Sequence, residues 1–145
     1  MEPIYRERLE SLRETLAWLA DPNTVLPEGY GFWIDAWRQD GVRLIDWKPV
    51  DCQTTMCLAG WHIYRNPGKG LWLKQDAHDR YWPTIDGGPV QAPISETLCD
   101  YFGLPEWLAK QMFMPRDEEH FYCTDRVAYA RAALQDLDEY LKETA

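Results

Sequence analysis

Leu9, Leu12, Leu16 and Leu19 recur at steps of three, four and three, which puts them on one face of a helix over residues 3–20. Arg6, Glu10, Arg13 and Glu14 fall on the other side, where the two arginines offset the like-charged Glu10–Glu14 pair. Pro3 suits the first turn, where its missing N–H removes no helical bond. Asp21-Pro22-Asn23 ends the segment, because the residue before a proline is driven out of the α region. The matching pattern lies far along the chain. Val127, Ala130, Leu134, Leu137 and Leu141 repeat at the helical step behind Thr124, a capping residue. Together the two stripes predict a helix pair that closes a bundle.

Shorter elements are expected between them. Residues 94–102 read as a helix with Gly103 as a left-handed stop, and Pro105 opens a second helix that runs to about Phe113. Its apolar face is predicted to comprise Leu104, Trp107, Leu108 and Met112. Pro115 to Tyr122 is then a polar, acidic loop. Upstream, Leu71–Lys74 and Arg80–Thr84 can pair across Gln75–Asp79, with a turn at Asp86-Gly87-Gly88. Pro83 makes the second run an edge strand, and an irregular excursion is the other reading of this stretch. Residues 21–51 are punctuated by Pro22, Pro27, Gly29, Gly31, Gly41 and Pro49, yet hold Phe32, Trp33, Ile34, Trp37, Leu44, Ile45 and Trp47. That is too much apolar bulk for a free linker. An ordered wrap is expected, with short pieces at Phe32–Trp37 and Val42–Trp47. The fold class is therefore mainly α: one domain of 145 residues, about five helices, and a small β-hairpin or aromatic-rich excursion.

The central stretch runs from Asp51 to His62 and carries no charge after Asp51. Thr54 or Thr55 can cap a buried helix that reaches about Tyr64 and stops at Asn66-Pro67-Gly68. Met56, Ala59, Gly60 and Ile63 share one side, with Cys57, Trp61 and Tyr64 adjacent. A glycine inside a helix costs about 1 kcal/mol against alanine. Close crossing of a second helix over Ala59-Gly60 is the expected compensation.

Cys52-Gln53-Thr54-Thr55-Met56-Cys57-Leu58-Ala59-Gly60-Trp61 resembles a motif of small uncharacterised proteins of bacteria and their phages, Cys-Gly-Thr-x-x-Cys-x-Ala-Gly-Trp. Phe32–Trp37 upstream, and Phe102-Gly103-Leu104, Met112-Phe113 and Thr124–Val127 downstream, extend the likeness over most of the chain. The resemblance implies a shared fold and assigns no activity. Within the motif Cys52, Thr54, Cys57, Ala59, Gly60 and Trp61 are the structural positions. Gln53 departs from it, standing where the pattern has glycine, so a turn needing positive φ would differ here.

Charge narrows the partners. A formal charge of −9, spread along the chain, lacks the basic stripe of a nucleic-acid binder. Fifteen interspersed Lys and Arg also weaken any reading as a DNA mimic. The amino terminus is acidic and unlike a signal peptide, and no apolar run approaches a membrane span. Four cysteines in a chain this size do not make a disulfide scaffold, so reduced thiols and a cytoplasmic location are expected.

Candidate chemistry rests on few residues. Cys52-x4-Cys57 with His120-x2-Cys123 would compose a Cys₃His zinc set. Alternatively Cys52, ahead of a helix N-terminus, could serve as a nucleophile, though no histidine stands in a strand that would face it: His62 follows on the same helix, and His78 and His120 lie in loop-like contexts. The acids mark no catalytic pair, and Asn66-Pro67-Gly68-Lys69-Gly70 lacks phosphate-loop spacing. Negative charge, aromatic excess and the want of a catalytic set favour a non-enzymatic protein-binding factor, without a cofactor, phage-borne and directed at a host protein. Its partner would carry a basic surface; a second copy of the chain is the other candidate. Trp72, Tyr81 and Trp82 are the expected contact residues. The rival is a cysteine-dependent enzyme or small zinc protein using Cys52 and Cys57.

Overall fold

The leucine stripe of the first helix meets the last helix side by side. In the computed structural model, which describes residues 1–25, 54–75, 81–89, 94–113 and 126–144, α1 spans Pro3–Ala20 and α5 spans Arg126–Thr144. Leu9, Leu12, Leu16 and Leu19 are all fully buried, each removing apolar area worth about 1.5–3 kcal/mol from water. Ala130, Ala133 and Leu137 bury the facing stripe of α5, with Val127, Leu134 and Leu141 half-buried. Arg13 pairs with Asp138 at 2.6 Å, and Arg126 donates to the carbonyls of Asp21 and Thr24. The two helices therefore run antiparallel. The last turn of α1 holds no basic residue of its own, so Arg126 supplies the cation that complements its carboxyl end.

Three further helices and a ribbon complete the described architecture: α2 (Thr54–Arg65), β1 (Leu71–Gln75), β2 (Tyr81–Ile85), α3 (Ile94–Phe102) and α4 (Glu106–Phe113). Leu58 through His62 are buried in succession, and at 100° per residue these five positions cover every side of α2. This is the central buried helix that the uncharged stretch predicts. Thr54 and Thr55 are both helical residues of α2, so the expectation that one of them caps it is corrected. No described element makes the close crossing expected at Gly60: among the described residues, nothing stands within 4 Å of a Cβ built there.

Rings tie the helices together. Trp18 of α1 meets Trp61 of α2 edge-on at 5.7 Å. His62 meets Phe102 of α3 at 5.4 Å, and Phe102 stacks on Phe113 of α4 at 5.8 Å. Tyr129 of α5 then donates its hydroxyl to the Met112 carbonyl, satisfying an acceptor in the last turn of α4.

β1 and β2 pair antiparallel, Leu71 with Ile85 through Gln75 with Tyr81, each strand within a residue of expectation. The amide of Asp86 donates to Gly70 at 2.8 Å, which fixes the alternation of bonded pairs. Pro83, opposite Leu73, consequently sits at a non-bonded pair, where its missing N–H leaves the ladder intact. Asp86 and Gly87 both have positive φ, 53° and 72°, and Gly88 donates to Ile85 at 2.9 Å. That is a primed turn, which the Asp-Gly pair favours.

The α3–α4 corner depends on glycine. Gly103 has φ 69° and donates to Cys99 at 2.8 Å, closing α3. A Cβ on it would lie 2.6 Å from the Tyr5 ring, so α1 also packs against this bare backbone. Pro105 is the residue before α4, one position earlier than expected, and its carbonyl accepts from Leu108 and Ala109. The apolar face of α4 also needs correcting. Leu108, Ala109, Met112 and Phe113 are buried, with Leu104 just before them, but Trp107 is 60% exposed. The segments expected at Phe32–Trp37 and Val42–Trp47, the loop Pro115–Tyr122 and the cap Thr124 lie outside the described residues.

Candidate functional site

Of the motif residues, Ala59, Gly60 and Trp61 are buried within α2 and serve packing. Cys52, Gln53, His78, His120 and Cys123 lie outside the described residues, as do the side chains of Thr54 and Cys57. The expected zinc set and the Cys52 nucleophile lie there with them. Among the described residues, no three His, Cys, Asp or Glu side chains gather as a metal site. Nor, among these residues, is any helix long and apolar enough to cross a membrane.

The expected contact residues share the ribbon but divide across it. Trp72 pairs with Thr84 and Trp82 with Lys74, whereas Tyr81 pairs with Gln75. Successive strand positions alternate faces, so positions 72 and 82 fall on one side and position 81 on the other. Trp72 is 36% exposed, while Thr84 opposite it is fully buried.

A polar cluster that the apolar pattern does not announce lies between α1 and α2. His62 is buried, and its Nδ1 stands 3.0 Å from Thr15 Oγ1 and 3.3 Å from the Asn66 side-chain amide. Thr15 donates to the Ser11 carbonyl, Arg65 donates to Thr15 Oγ1 at 3.5 Å, and Asn66 also donates to the His62 carbonyl. With its own proton on the Ser11 carbonyl, Thr15 Oγ1 can accept from Nδ1–H, or Nδ1 can accept from Asn66; either neutral tautomer has a partner. Burial, aided by the Arg65 charge, lowers the His62 pKa to about 4. At pH 7 the ring is therefore neutral and acts as a packed hydrogen-bonding group rather than a proton shuttle. Arg65 also caps an aromatic column, its guanidinium 5.4 Å from the Trp18 ring.

The most exposed aromatic group among the described residues is Trp107, in the first turn of α4. Its exposure follows from helix phase. Leu108, Ala109, Met112 and Phe113 span an arc of about 140° at 100° per residue, and Trp107 lies about 100° outside it. Three carboxylates lie near Cys99 of α3. Glu96 and Asp100 stand one turn apart on α3, both exposed, and Glu106 begins α4. Half-buried Cys99 registers all of them: burial first, then Glu106, Asp100 and Glu96, raise its thiol pKa, against the opposing charge of Lys110. Cys99 thus stays a protonated thiol and a poor nucleophile. An open depression along α5, lined by Arg131, Leu134, Gln135, Asp138, Glu139 and Lys142, mixes charges of both signs without convergence.

Among the described residues these features define a mainly helical fold with two outward-facing tryptophans. Comparison with known proteins adds no relative: no protein-family model, curated protein or solved structure matches the chain.

Proposed function

We propose that this chain is a non-enzymatic protein-binding factor whose partner presents a basic surface. The observation that carries the reading is how the tryptophans with described side chains divide. Trp61 is fully buried and Trp18 packs on the core, whereas Trp72 and Trp107 are 36% and 60% exposed on a chain of charge −9. Exposing a large aromatic group forgoes burial worth a few kcal/mol, and such groups are the usual anchors of protein interfaces. The negative field raises the encounter rate with a cationic partner. The resemblance of the Cys52–Trp61 segment to proteins of bacteria and their phages adds a setting, a bacterial cytoplasm in which a phage-borne factor acts on a host protein.

The test is affinity purification from bacterial lysate at about 50 and 300 mM salt, a range over which surface electrostatics are progressively screened. The wild-type chain is compared with a Trp72→Ser, Trp107→Ser double variant. The reading expects a basic protein captured by the wild type, weakened by salt and lost from the variant. Equal capture by both chains would refute it.

A further inference from the structure

We draw no further inference here: the strongest candidate, the outer edge of β1 beside the exposed Trp72, is a strand edge for which nothing among the described residues shows what covers it.

Discussion

His62 offers a direct test of the core. Its folded pKa is about 4 against an ordinary value of 6.5, so between those pH values the unfolded chain binds the proton and the folded chain does not. Stability is then fully present above about pH 6.5 and declines as pH falls toward 4. Proton linkage between these two values makes the loss about 2 kcal/mol by pH 5 and about 3 kcal/mol once both states are protonated. Replacing His62 by Gln removes the titration while keeping an amide able to face Thr15. At pH 7.5 the variant should be less stable by about 1–3 kcal/mol, through the lost hydrogen bonding and the lost edge contact with Phe102. Urea denaturation at pH 7.5 and 5.0 provides the comparison, because every other titrating group is common to both chains. The gap between wild type and variant should shrink by about 2 kcal/mol at the lower pH. A gap that stays constant within about 0.5 kcal/mol, the error expected of such differences, would refute a buried neutral histidine.

Further outcomes follow from packing. Gly103→Ala should destabilise by about 2 kcal/mol or more, from the left-handed backbone and the Tyr5 clash; Tyr5→Ala should relieve only the clash, so a double-mutant cycle by urea denaturation should be non-additive. Leu12→Ala, at a fully buried site, should cost about 2–5 kcal/mol in the same assay. Trp107→Ser should change stability by less than about 0.5 kcal/mol, which separates a binding role from a packing one. Arg13→Ala should cost less than about 1 kcal/mol, and salt near 1 M should erase the difference, because both partners of its ion pair are substantially exposed.

Helices α1 and α5 were legible because their leucine and alanine stripes are set by the helix period alone, and both stripes face each other. The ribbon was legible because Asp86-Gly87 and Pro83 carry backbone constraints of their own. His62 falls in the stretch read as buried, and it is; its hydrogen-bond partner was not legible, since Thr15 lies 47 positions away and neighbouring residues do not encode that meeting. Trp107 misled by chemistry: it is apolar, but helix phase decides exposure, and the arc Leu108–Phe113 already excluded it. Gly60 suggested a close crossing that no described element makes. Glu96, Asp100 and Glu106 were not legible as a group, because the acids mark no pair in sequence and their convergence on Cys99 needed the turn at Gly103.

The antiparallel seam between α1 and α5 has a consequence for synthesis. Arg13 and Asp138 are 125 positions apart, so at ribosomal rates of about 5–20 residues per second the first helix waits about 6–25 s for its partner. Throughout that interval its four-leucine stripe lacks the α5 half of its cover, although α2 and α3 can shield part of it earlier. The domain therefore closes last on its longest-range contact, and a chain interrupted before residue 126 would present that stripe to chaperones and proteases instead of to α5.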